Sequence, residues 1–249
     1  MSLITTNLPE NWRALQASVG EILSECGFDV EVEKSVLTVR GKVELDVHAI
    51  ETVDHRTYTV ACECKHWKSR VPKTIVHAFR TVVADLGINS GYIVSSNGFQ
   101  SGAYEACEST NVRLLDWNEF QNQFLHTWLQ THLAPTITET LDPILTYTEP
   151  LVPNWFMNVP DSDVAILRGL REKYVPFGMM IMMFTTYSRF LRSDQYPELP
   201  LRNRMTDYMD VIPAPILDAA GYKEFLSLAV DYGLQAIEEF REVKRRNDA

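Results

Sequence analysis

The sequence predicts an α/β fold in its first half, roughly residues 1–130, and an all-helical second half over 131–249. Three observations carry that expectation: two adjacent runs with strand periodicity, helix-type spacing on either side of them, and a switch after Asp116 to helical patterns alone. In the run from Val43 to Ile50, positions 43, 45, 47 and 49 are apolar and 44, 46 and 48 are polar, the period-2 pattern of a half-buried strand. One face is therefore expected to carry Glu44, Asp46 and His48. Thr57 to Lys65 repeats the pattern, with Tyr58, Val60, Cys62 and Cys64 on a packing face and Glu63 and Lys65 on the other. A tight connection would pair the two strands antiparallel.

Asp is depleted in strands because it competes for backbone hydrogen bonds, so Asp46 between Leu45 and Val47 needs a reason. Two carboxylates converging from neighbouring strands, Asp46 and Glu63, make a hard oxygen site suited to Mg²⁺, with Mn²⁺ as substitute. The main-chain carbonyl of Cys64 is the expected third protein ligand. Lys65 projects to the same side as Glu63, placed to orient an attacking water or to stabilise charge at phosphorus. The alternative is a salt-bridged Glu-X-Lys surface pattern. Because neighbouring carboxylates repel, removing either is expected to leave stability nearly unchanged.

The order of elements around these strands resembles the Mrr-like branch of the restriction-endonuclease-like, or PD-(D/E)XK, nuclease superfamily over residues 11–120. The resembling order begins with a helix from Trp12 and a strand opening Gly27-Phe28, followed by the Asp46 strand. The Glu63-Cys64-Lys65 strand then runs into His66-Trp67-Lys68, and a helix spans Pro72 to Leu86. A strand Gly91 to Val94 with a small polar exit, a helix with Ala103 and Ala106, and a strand ending Leu114-Leu115-Asp116 complete it. The resemblance implies a restriction-endonuclease-like core, a central mixed β-sheet flanked by helices, and a Mg²⁺-dependent phosphodiesterase acting on DNA. Asp46, Glu63 and Lys65 would be its catalytic residues. Many relatives supply a further Glu from the first helix; the matching position here is Gln16, a neutral side chain that implies one metal or a weakened site. Glu21, five residues on, faces elsewhere. Gln16, Glu44 and His48 are the accessory candidates.

Composition pulls the other way. The chain carries 23 basic and 33 acidic side chains, a formal charge of −10, which is not the profile of a tight autonomous DNA binder. Neither half is basic: residues 1–130 hold 11 cationic and 16 anionic side chains, residues 131–249 hold 12 and 17. Yet Lys65, Lys68, Arg70 and Lys73 fall together with no acidic residue among them, a cationic strip beside the proposed metal site. Lys68, Arg70, Lys73 and the strand-exit residue Ser96 are the expected DNA contacts. The other reading of the strip is a solvated turn.

Cys26, Cys62, Cys64 and Cys107 lack metal-ligand spacing and imply no disulfide framework. No secretory leader is evident, and the longest apolar run, Phe177 to Phe184, is shorter than the about 20 residues needed to span a bilayer. A cytoplasmic location is expected, with no membrane partner.

In the second half, an amphipathic stretch runs from Trp117 towards Pro135. Prolines 135, 143, 150, 153 and 160 then predict short helical pieces or an extended linker. Asp161 to Asp163 can cap a helix through Tyr174, a second helix is expected from Pro176 to Arg192, and further helix through Met209. Lys223 to Arg246 is strongly amphipathic, and its basic end complements the helix dipole. The Met-rich run 179–183 predicts a centrally buried helix, or else a partner or dimer interface. The helical half is expected to serve recognition, regulation or oligomerisation. Two functions follow: a metal-dependent endonuclease, of the kind that serves as a restriction or anti-phage effector, or a weakened nuclease-like subunit that binds DNA or assembles a larger complex.

Overall fold

In the computed structural model of the chain, which describes residues 3–188, 196–204 and 211–247, Asn11 opens the first helix. Its side chain accepts the Ala14 N–H at 3.0 Å and caps α1 (Trp12–Glu25). Gly27, at φ 92°, then turns the chain into β1 (Asp29–Thr38). β1, β2 (Gly41–Val53) and β3 (Arg56–Lys65) form an antiparallel meander. Asp54 and His55, both at positive φ, make the two-residue turn between β2 and β3, the geometry that matches strand twist.

From β3 the chain crosses over through α2 (Lys73–Asp85) to β4 (Ser90–Ser95), and through α3 (Ser101–Cys107) to β5 (Val112–Asp116). Both of these strands pair parallel, giving a mixed five-stranded sheet of order β1-β2-β3-β4-β5. The fold class is the expected one. One face packs on α2 and α3 through Ala61, Ile93, Val76, Phe79 and Val83. Gly91 permits the approach, since a Cβ there would lie 2.9 Å from both Phe79 and Val83. α1 and α4 (Trp117–Trp128) cover the other face, where Tyr92 meets Phe120 and Phe124 edge-on.

The chain divides into two compact units, residues 7–128 and residues 129–249 with 1–6. Residues 3–6 group with the helices, because Leu3 and Ile4 accept the Tyr222 and Lys223 N–H groups and Glu224 accepts from Thr5 and Thr6. The helical unit begins with a π-turn (Leu129–Leu133) that passes into α5 (Ala134–Thr148), then a 3₁₀ turn (Asn154–Asn158) and α6 (Asp161–Met182). A short α7 (Ala214–Asp218) precedes α8 (Tyr222–Asn247).

The prolines of this unit break fewer helices than their number suggests. Of the two readings of the stretch from Pro135 to Pro160, the helical pieces are found and the extended linker is not, with helix continuing from Ala134 to Thr148 through Pro143; α6 runs through Pro176 instead of ending at Tyr174. Pro135 sits in a first turn, where no N–H is needed, and Pro143 forfeits a single bond while Ile137, Leu141, Ile144 and Leu145 are buried against α6 and α8. Tyr174, Phe177, Met180 and Ile181 do the same for Pro176. The methionine run is not buried all round: Met180 is, and Met179 is 65% exposed. The expected continuations to Arg192 and Met209 run into residues 189–195 and 205–210, outside the described residues. Among the described residues, no helix is long and apolar enough to cross a membrane.

Candidate active site

β2 and β3 stay paired from Val53↔Arg56 to Val47↔Cys62 and part beyond that point. Asp46 is the first residue past the last pair. Its Oδ2 accepts the Cys64 N–H at 2.6 Å, so the carboxylate satisfies a backbone donor that the parting strands leave. On the other side of β2, Val32↔Val47 and Lys34↔Leu45 are paired while Glu33, opposite Asp46, sits at φ 54° outside the ladder. A non-glycine residue there costs about 1–2 kcal/mol and marks a local distortion.

That distortion resets the strand's alternation. Val47 lies beside Gly20 of α1, whereas Leu45, of the same parity, joins the cluster under α2 and α3. Glu44, Asp46 and His48 therefore do not share one face as the simple period-2 reading expects. Glu44 is exposed. His48 is buried, with Nδ1 3.2 Å from Lys34 Nζ, and burial together with that ammonium holds its imidazole below the usual histidine range. Neither residue joins Asp46.

Glu63 and Lys65 do. Lys65 Nζ is paired with Glu63 Oε1 and lies 3.9 Å from Asp46 Oδ2, and all three side chains are mostly buried. Burial pushes the Glu63 carboxyl up; Lys65 pulls it back down and Asp46 pushes it up further. From α1, Gln16, only 4% exposed, donates Nε2–H to Asp46 Oδ1 at 2.7 Å. Both Asp46 oxygens are thus held, one by a backbone amide and one by a neutral side chain, and each keeps a lone pair free. Glu21 is exposed.

The arrangement is two carboxylates around one ammonium, a pocket of net negative charge that calls for a cation. Its donors are hard oxygens. The Cys62 and Cys64 thiols are buried and pushed well up by that burial, so Cys64 can offer only its main-chain carbonyl. Among the described residues no group of three or more His, Cys, Asp or Glu side chains could hold a metal. Two carboxylates and a carbonyl nonetheless fit Mg²⁺, which keeps several waters.

Residues 9–124 match the family model Mrr_cat, described as restriction endonuclease. This part of the chain is an Mrr-type restriction endonuclease domain. The match spans a little under half of the sequence, covers the sheet and α1 to α3 with most of α4, and implies a nuclease. A search of the curated proteins finds no match. A solved structure described as "Crystal Structure of Protein of Unknown Function AF1548" is similar over 74% of this chain and 95% of its own, at 14% identity and a TM-score of 0.38.

Around the cluster of Asp46, Glu63 and Lys65, the side chains of Lys68, Arg70 and Lys73 are exposed on the connection from β3 to α2. Ser96 and Asn97, leaving β4, brace that connection: Ser96 N–H donates to the Lys65 carbonyl at 3.0 Å, and Asn97 Nδ2 to the Lys68 carbonyl at 2.5 Å. The Ser96 hydroxyl points at the Lys65 and Trp67 carbonyls, 3.5 Å from each, so the residue expected to touch DNA is placed to shape the turn. Beside them opens a cavity of about 470 Å³ whose lining includes Pro9, His66, Trp67, Asn97 and Trp117. Trp67 was visible in sequence as the aromatic after Glu-X-Lys. Pro9, Asn97 and Trp117 come from distant segments, and nothing local marks them.

Proposed function

We propose that the endonuclease domain hydrolyses DNA phosphodiester bonds with Mg²⁺ or Mn²⁺, as a restriction or anti-phage effector. The observation that carries this reading is the single ammonium of Lys65 gathered by Asp46 and Glu63, with Asp46 locked in place from both sides. Asp46, Glu63 and the Cys64 carbonyl would hold the cation, which supplies charge neutralisation and polarisation at the phosphate. Gln16 fixes the Asp46 carboxylate and, being neutral, favours a single cation. Lys65, no longer needed to neutralise the carboxylates, turns to the substrate, where its ammonium orients the attacking water and stabilises charge growing on phosphorus. Lys68, Arg70 and Lys73 contact flanking phosphates without reading bases.

At a net charge of −10 the chain has little phosphate affinity to spare, so the helical unit serves recognition, regulation or assembly, through a partner protein or a second copy. Calorimetric titration with Mn²⁺ tests the site. Wild type should bind one ion, and Asp46→Ala and Glu63→Ala should each abolish binding. Absence of binding at millimolar metal, with nuclease activity kept in both variants, would overturn the assignment.

A further inference from the structure

The cavity beside the centre is not used by the reaction described so far. We infer that it receives a nucleobase unstacked from the strand being cut, so that the preferred substrate is DNA with unpaired bases next to the scissile phosphate: single-stranded ends, flaps or mispairs rather than continuous duplex. This rests on the nuclease reading of Asp46, Glu63 and Lys65.

Position comes first. Lys65 and Trp67 are separated by one residue, so at most about 7 Å of chain lies between them. Lys65 Nζ lies over the Trp67 ring, 5.6 Å from its centroid, so this indole joins the ammonium of the centre to the cavity it lines. A nucleotide whose phosphate sits at Lys65 has its own or its neighbour's base within reach of Trp67.

The chemistry of the walls suits a base. Trp67 is 39% exposed although it follows directly on the buried end of β3, and a large indole left open to solvent offers a stacking platform that tolerates any base. Trp117 forms a rigid floor, buried and anchored by its Nε1–H to the Asn7 carbonyl at 3.2 Å. His66 is steadied by Nε2 lying 3.2 Å from the Pro9 carbonyl. Asn97 spends its NH₂ on the Lys68 carbonyl, which directs the amide oxygen, an acceptor for a base edge, away from the turn. Lys68 stands at the cavity and can take the next phosphate.

Size selects the occupant. About 470 Å³ is the scale of small-molecule pockets: one base can enter and a duplex cannot. Stacking also supplies what the acidic surface withholds, since it adds affinity that does not depend on neutralising phosphates.

The test uses the full chain with Ca²⁺ in place of Mg²⁺ to hold DNA uncut. Oligonucleotides carry 2-aminopurine in matched duplex, in duplex with one mispair at the probe, and in single strand. Wild type should bind the mispaired and single-stranded forms roughly tenfold more tightly than matched duplex, a preference equivalent to about 1.4 kcal/mol, and probe fluorescence should be quenched by Trp67. Trp67→Phe, which keeps a ring, should keep most of the preference; Trp67→Ala should lose it. Equal affinity for all three forms, or a preference that survives in Trp67→Ala, overturns the inference, as does failure to bind any of them. A Trp67-dependent preference without cleavage in Mg²⁺ would keep the base pocket and discard the nuclease reading; cleavage without the preference would do the reverse.

Discussion

At the scale of single residues, the two carboxylates of the centre are not equivalent. Asp46 is tied to Gln16 and to the Cys64 amide, while Glu63 is held by Lys65 and carries the cost of burial. In sequence the two carboxylates look alike, because nothing there shows that the strands part at Asp46. Asp46→Ala should therefore lower the stability of the metal-free protein by about 1–3 kcal/mol, the cost of leaving buried donors unpaired. Glu63→Ala should leave it unchanged or raise it. Urea unfolding in EDTA separates the two, and equal effects would contradict this account. Gln16→Glu would set a third carboxylate against Asp46 Oδ1. It should destabilise the metal-free protein, bind Mn²⁺ more tightly than wild type, and regain stability as metal is added, which differential scanning fluorimetry across a Mn²⁺ series would read.

At the scale of elements, the connection from β3 to α2 carries Lys68, Arg70 and Lys73 directly off the strand of Glu63 and Lys65. Their joint replacement by alanine should weaken binding to all sequences alike and lower the salt slope of log K by roughly 0.9 per lost contact on duplex and about 0.7 on single strands. Unchanged affinity and slope would return these residues to the role of a solvated turn. The elements themselves were largely legible in sequence, since β2, β3, α2 and α8 each announce a period and a boundary. What was not legible depends on partners remote in sequence. The alternation of β2 breaks at Asp46 because Glu33 on β1 leaves the ladder, and the prolines in α5 and α6 are outvoted by packing against α8. Local propensity sees neither. At the centre, the residue types and their two-residue spacing gave Glu63 and Lys65, whereas the cavity walls are assembled from five separate stretches of chain.

At the scale of the molecule, a sheet unit with its own core and an acidic helical unit divide the chain. A fragment of residues 7–128 should fold, with a cooperative thermal transition, but cleave weakly or without control. A fragment matching the full chain in rate and substrate preference would remove any regulatory or recognition role from the helices. The central claim is that Asp46, Glu63 and Lys65 form a metal-dependent phosphodiesterase centre, and cleavage of DNA by the purified full chain tests it most directly. With Mg²⁺ or Mn²⁺, wild type should cut a plasmid carrying locally unpaired DNA. EDTA should abolish the reaction, and Lys65→Ala should slow it by about 100-fold or more, the scale seen when a transition-state charge stabiliser is removed. Cleavage that persists in EDTA, or that Lys65→Ala supports at the wild-type rate, would contradict the account.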